Sequence, residues 1–319
     1  EIICNQNELN NAIQLVSKAV ASRPTHPILA NILLTADEGT NKISVTGFDL
    51  NLGIQTSFDG TVKNSGAITI PSKLLSEIVN KLPNETPVSL EVDDNSDNIL
   101  IKSDRGSFTL KGIPSDDYPN LPFVESGTSL NIDPSSFLKA LRTTIFATSN
   151  DESKQLLTGV NFTFKQNYLE SASTDGHRLA VALTGEEENI KNKDNLLSNE
   201  NNLSVTIPSK SLREIEKLVS LRSTENSIKL FYDKGQVVFI SSNQIITTRT
   251  LEGTYPNYSQ LIPDTFSKVY SFNTKKLIDA LERIAVLADQ QSSVVKIKLD
   301  NTGLASISAD AQDIGNAKE

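Results

Sequence analysis

Few side chains in this 319-residue chain are placed for chemistry, and one short stretch holds most of them. Thr174-Asp-Gly-His-Arg-Leu179 puts His177 two residues after Asp175, with Ser173 just before. These are the residue types of a nucleophile, a base and an orienting acid. Asp-Gly is first a turn signal, however, and side chains two apart share a face without forming a relay. A hydrolase built on Ser173, Asp175 and His177 is one reading, and a structural turn is the other. The second histidine, His26, sits in the stiff Arg23-Pro-Thr-His-Pro-Ile28, where a turn or packing role is expected. Cys4 stands alone, which excludes a disulfide framework and a cysteine metal site, and it is expected to be a small buried side chain. There is no phosphate-binding glycine loop and no His-Glu-x-x-His. No catalytic residue, metal or cofactor is expected.

Phosphate binding asks for something else: lysines and arginines gathered on one face. After Pro208, Leu212, Ile215, Leu218 and Val219 fall on one side of a helix, and Lys210, Arg213 and Lys217 on the other. The Pro134–Ala147 segment carries Lys139 and Arg142 and no acidic residue. Thr274–Ala288 carries Lys275, Lys276 and Arg283, diluted by Asp279 and Glu282. A row of such helices would offer a sequence-blind surface to phosphates, whereas each alone also reads as an ordinary solvated face. The whole-chain balance points the other way: 39 acidic residues against 30 basic ones give a net charge of −9. That argues against a simple nucleic-acid binder unless the cations are collected on one surface.

The elements that carry these residues repeat. Thr69-Ile-Pro-Ser-Lys73 returns as Thr206-Ile-Pro-Ser-Lys210, Glu77-Ile78 as Glu214-Ile215, and Tyr118-Pro-Asn120 as Tyr255-Pro-Asn257, all at one offset of 137 residues. Helical patterns around Leu9–Val20, Pro134–Ala147 and Thr274–Ala288 align on Ala12, Ala140 and Ala280, which makes a triplication. Period-two alternation follows each, at Ile43 and Val45, at Val160–Phe164 and at Val295–Leu299. Each repeat thus reads as helix, strands, helix, strands: an α+β unit with two helices on an antiparallel sheet. In the Ile-Pro-Ser-Lys helix the proline is expected in the first turn and the serine as a cap.

The repeats set expected domain limits of 1–126, 127–263 and 264–319, with Glu186–Asn202 as a solvated loop in the second. The third is expected to stop before its second helix. With no methionine at all, the sequence reads as part of a longer polypeptide. No apolar run has the length of a membrane span, so a cytoplasmic protein without membrane contact is expected.

Through Thr174-Asp-Gly-His-Arg-Leu-Ala180, the duplicated Ile-Pro-Ser-Lys and Tyr-Pro-Asn motifs, and Arg23-Pro-Thr-His-Pro-Ile-Leu29, the whole sequence resembles the bacterial DNA polymerase III beta subunit family, the replicative sliding clamps. The resemblance implies the DNA clamp fold and a head-to-tail homodimer closed into a ring around double-stranded DNA. It also implies short linear peptides as ligands, from the replicative polymerase, the clamp loader, other polymerases and repair proteins, and no catalysis. By position, the family's DNA contacts fall on Arg23, Lys73, Lys154 and Lys210, and the helix pattern adds Arg213. The peptide pocket falls on Leu157, Thr174, Gly176, His177, Arg178, Leu179, Pro256, Gln260 and Leu261. Gln260 stands where an arginine is often found, and the C-terminal segment that completes the family's pocket is not in the sequence. The subunit contact falls on Ile78, Phe108 and Leu110, facing Val286 and Leu287, and Ile78 reads equally well as core. A peptide-binding hub that encircles no DNA is the rival reading, separable by charge reversal at Lys210 and Arg213.

Overall fold

The computed structural model describes residues 1–84, 86–93, 96–124, 128–165, 168–185, 203–220, 227–233, 235–288, 294–300, 304–311 and 315–319. The Glu186–Asn202 insert and the expected boundary at Ser126 lie outside them, as does the side chain of Leu218. The chain divides into two compact units, Glu1–Pro256 and Asn257–Glu319.

Five helices carry the sites: α1 (Gln6–Val16), α2 (Ser72–Val79), α3 (Pro134–Thr144), α4 (Ser209–Ser220) and α5 (Thr274–Ala288). Local chemistry sets their ends. The Asn5 side chain accepts from the Asn7 backbone N–H at 2.8 Å, and the Asp133 carboxylate accepts from that of Ser136 at 2.7 Å, with Pro134 in the first turn. The alignment on alanine marks the buried stripe, because Ala12, Ala140 and Ala280 are all buried.

The Ile-Pro-Ser-Lys motif differs from expectation. Its strand runs on through Pro71, and Ser72 is the first residue inside α2 rather than its cap. The buried Ser72 hydroxyl instead meets that of Ser17 at 2.9 Å, tying α2 to the end of α1. What both copies of the motif share is a buried threonine. Asn31 Nδ2 donates to Thr69 Oγ1 at 2.9 Å, and Asn161 Nδ2 donates to Thr206 Oγ1 at 3.1 Å. A buried hydroxyl costs stability unless it is partnered, so motif and partner recur together.

Three strands matter below: β1 (Leu52–Asp59), β2 (Gly106–Lys111) and β3 (Gln244–Arg249). β1 and β3 pair antiparallel, Ile54 opposite Ile246, inside a nine-stranded sheet that runs from the first repeat into the second. β2 ends a separate five-stranded sheet as its edge. Helices and strands of the first unit close over one core whose largest fully buried side chains include Phe137, Phe162, Leu9 and Ile70. Cys4 lies in it, and burial pushes its thiol up to about 12. At Gly47 the end of α1 lies close against the sheet: a β-carbon there would sit 2.2 Å from the Val16 carbonyl oxygen.

The second unit packs Ala280, Ile284 and Ala288 of α5 on Ile307 and Ala309 of a three-stranded antiparallel sheet. Across the described residues no helix is long and apolar enough to cross a membrane.

Candidate nucleic-acid interface and partner turn

α4 is amphipathic as its spacing predicts. Leu212, Ile215 and Val219 are buried, while Lys210, Arg213 and Lys217 are exposed. Lys73 holds in α2 the place that Lys210 holds in α4, and it too is exposed. Arg23 is exposed in the loop that follows α1. α3 packs beside α4 and exposes Lys139 and Arg142.

Carboxylates thread this basic layer, which the count of cations on each helix face left out. Arg142 Nε pairs with Glu216 at 3.0 Å, Lys217 with Glu214 at 2.9 Å, and Lys18 reaches Glu214 from the first repeat at 3.8 Å. Lys210 pairs with Glu152 at 3.0 Å, with both side chains more than four-fifths exposed. Pairs so open to water are weak and salt-screened, so a phosphate can displace the carboxylate. Replacing Glu152 with glutamine is expected to tighten binding of a short linear duplex at low salt by about two- to fivefold, read by fluorescence anisotropy. An unchanged affinity would mean that Lys210 does not meet DNA.

The loop that holds Glu152 also presents Lys154, whose ammonium lies 4.0 Å from where a β-carbon on Gly176 would be. That position belongs to the Thr174–Leu179 turn, which joins strands Tyr168–Thr174 and Leu179–Gly185. Gly176 has φ +95, a left-handed conformation that glycine takes without strain. Thr174 Oγ1 accepts from the Gly176 N–H at 3.0 Å and donates to the Arg178 carbonyl at 2.7 Å. Asp175 accepts from the backbone N–H groups of His177 (2.9 Å) and Arg178 (3.0 Å), and from Arg178 Nε (2.9 Å).

Those donors stabilise the charged carboxylate. The backbone N–H of Arg178 and then that of His177 do most, and together they hold Asp175 down at about 2. A folded value below the ordinary 3.8 means that the turn gains stability from Asp175 above about pH 4 and loses it as pH falls toward 2. Amide resonances of His177 and Arg178 are expected to shift together over that window. An Asp175→Asn variant should lack the transition.

The turn is not a hydrolytic triad. Ser173 is fully buried and its hydroxyl donates to the Thr144 carbonyl, while Asp175 is engaged by the turn itself. His177 is exposed. Around the turn, Leu157 and Leu179 are half-buried, Pro256 is exposed, and the Arg178 guanidinium lies 5.8 Å from the Phe146 ring centre.

Tyr255 explains the repeated Tyr-Pro-Asn. Its hydroxyl accepts from the Thr174 N–H at 3.1 Å, and in the first repeat the buried Tyr118 hydroxyl donates to the Thr46 carbonyl at 3.3 Å. Strand register makes Phe48 the counterpart of Thr174, and Phe48 packs with Tyr118 in a buried cluster. Each tyrosine therefore holds the equivalent turn of its own repeat. The motif had been visible in the sequence, but its role had not.

Gln260 and Leu261 fall in a short helical turn of the second unit, with Leu261 largely exposed. On α2 Ile78 is half-buried against the core, and on edge strand β2 Phe108 is exposed and Leu110 half-buried. Leu74, four residues before Ile78, is 49% exposed on α2 and was missed, although its i, i+4 spacing could have found it. On α5 Val286 is 66% exposed and Leu287 half-buried.

The sequence matches the DNA polymerase III beta subunit in its N-terminal domain over residues 1–122, its central domain over 131–257 and its C-terminal domain over 259–319. The beta sliding clamp of Synechococcus elongatus is 47% identical over 321 residues, covering all of this chain and 83% of the relative. The crystal structure of the Bacillus subtilis sliding clamp aligns with TM-score 0.86 at 30% identity, over 100% of this chain and 82% of that one. A Pseudomonas aeruginosa clamp solved with griselimycin bound is 24% identical, covers 99% of this chain and 82% of its own, and has TM-score 0.88, a likeness of fold alone. Domain order, fold and sequence identity agree along the full length of the sequence, and the chain belongs to the DNA polymerase III beta subunit family, the sliding clamps.

Proposed function

We propose that this sliding clamp, a non-catalytic processivity factor, closes head to tail with a second copy around duplex DNA. The observation that carries the reading is the recurrence of one lysine. Lys73 and Lys210 occupy the same first-turn position of α2 and α4, both exposed, in a chain of net charge −9. Recurrent cations on helices in an acidic protein suit a lining that slides on phosphates. Arg23, Lys73, Lys154, Lys210 and Arg213 are its DNA contacts. Sliding needs such contacts to be weak, and enclosure supplies the retention.

Ile78, Phe108 and Leu110, with Leu74, meet Val286 and Leu287 of the second copy. Two dissimilar patches on separate units make a heterologous contact, which closes when two copies meet. An edge strand with an exposed phenylalanine is ready for such pairing. The turn at Thr174–Leu179, with Leu157, Pro256, Gln260 and Leu261, receives short peptides from the polymerase, the clamp loader and repair proteins. The domains are 1–126, 127–263 and 264–319, and the protein acts on the chromosome in the cytoplasm.

The test loads the full-length protein with its loader onto nicked circular DNA and follows retention before and after the circle is cut. Release on linearisation supports encirclement. Retention on linear DNA overturns it, and failure to bind either form with an active loader favours a peptide hub.

A further inference from the structure

A cavity of about 570 Å³ opens on the first repeat, at the place that corresponds to the partner turn of the second. Its lining includes Leu29, Leu50 and Pro119, whose counterparts in the second repeat are Leu157, Gly176 and Pro256. Those counterparts lie 128, 126 and 137 residues further on, and Gly176 makes the same left-handed turn as Leu50. The floor is firm, because Ile28 and Leu29 pack with Phe48 and Tyr118 in a buried cluster of their own. Ile113 and His26 complete the wall.

Two observations indicate that the cavity is a site and not a packing gap. First, Leu50 has φ +75, a conformation that a branched side chain rarely takes, and its side chain stands 38% exposed at the cavity. Asp49 enforces the strain. Its carboxylate accepts from the N–H groups of Asn51 (2.9 Å) and Leu52 (2.7 Å), and its own N–H donates to the Leu52 carbonyl. Strain maintained at an exposed apolar residue is the kind found at ligand clamps.

Second, the charge differs between the repeats. The turn in the second carries Lys154 and Arg178, where the first has His26 and Leu52. Asp117 lines the cavity with Asp116 beside it, where the second repeat has Thr254 and Gly253. Among the described residues no lysine or arginine lines it. The cavity has kept its apolar floor and exchanged a basic rim for an acidic one.

We propose that the first repeat carries a second docking site, for a short extended segment of a partner protein that presents a leucine or phenylalanine anchor beside a lysine or arginine. The anchor sits between Leu50 and Ile113 over Leu29, and the cation meets Asp117. An apolar floor with one placed charge suits such a segment and selects against an acidic one. The site does not depend on the ring, or on what the second-repeat turn binds.

The test uses the full chain and two fluorescein-labelled hexapeptides, SKLFKS and its acidic counterpart SELFES, followed by anisotropy. SKLFKS is expected to bind saturably and more tightly than SELFES. Leu50→Gly removes one wall without disturbing the fold, since glycine accepts φ +75, and should weaken SKLFKS by about tenfold, the loss typical of a central anchor contact. Asp117→Lys should reverse the preference in favour of SELFES, an outcome that misfolding cannot mimic. Absence of saturable SKLFKS binding to the unaltered chain overturns the proposal. So does SKLFKS binding that survives both substitutions, or that is lost instead on Leu179→Asp.

Discussion

Phe137→Ala is expected to lower the unfolding free energy of the first unit by about 4 kcal/mol, the middle of the range for deleting a buried aromatic side chain. Phe137 is fully buried on the inner face of α3, and its ring lies 5.6 Å from the centres of both Phe162 and Phe239. Phe162 comes from the strand after α3 and Phe239 from the sheet that continues into the first repeat, so one ring joins three elements. Its removal leaves a void between strands whose hydrogen-bond ladders resist collapse, so little of the loss is recovered. Urea unfolding followed by circular dichroism reads the effect as a lower midpoint at unchanged slope. A loss under about 1 kcal/mol would mean that α3 closes over the gap. Phe137→Leu, which keeps more of the volume, should recover part of the loss.

The second large effect concerns DNA. Lys210→Glu with Arg213→Glu is expected to weaken binding of a short linear duplex by tenfold or more, and to flatten its salt dependence by about one unit for each phosphate contact removed. Both side chains are exposed on the outward face of α4, away from the buried Leu212 and Ile215, so the fold should not change. Reversal adds repulsion to the lost attraction, and Glu152, which pairs with Lys210, would then repel the new residue 210 as well. Clamps already loaded on a closed circle should be retained, because enclosure and not affinity holds them. Unchanged duplex affinity and salt slope would remove α4 from the DNA-facing surface.

Elements with strong local signals were readable from the sequence. Thr274–Ala288 appears as a helix with the limits its periodicity predicted, and Asp133-Pro134 starts α3 because a carboxylate cap and a fixed φ act locally. The three aligned alanines fall on the buried stripe of their helices, as their common phase predicted. Interactions between distant segments were not readable. Nothing near Leu52–Asp59 or Gln244–Arg249 says that these strands pair with each other, since register between strands almost two hundred residues apart is decided by packing. Ser72 looked like a cap by type, but the strand ahead of it runs on to Pro71 and a hydroxyl partner on Ser17 was closer to hand. At the candidate sites, the outward direction of Lys210 and Arg213 followed from helix geometry. The carboxylates that pair with the basic layer come partly from other elements, as Glu152 does, and so escaped a reading of one helix at a time. Tyr255 stood in a repeated motif, yet its bond to Thr174 spans 81 residues.

The pairing of β1 with β3 has a mechanical consequence. Five matched positions, from Thr56 opposite Gln244 to Leu52 opposite Thr248, place the junction of the first two repeats in the interior of a sheet. Links of this kind carry load in parallel and yield together, whereas a linker gives way one bond at a time. The first two repeats therefore move as one stiff arm. A force applied to this unit meets no hinge between its two repeats, because the seam is itself part of the sheet.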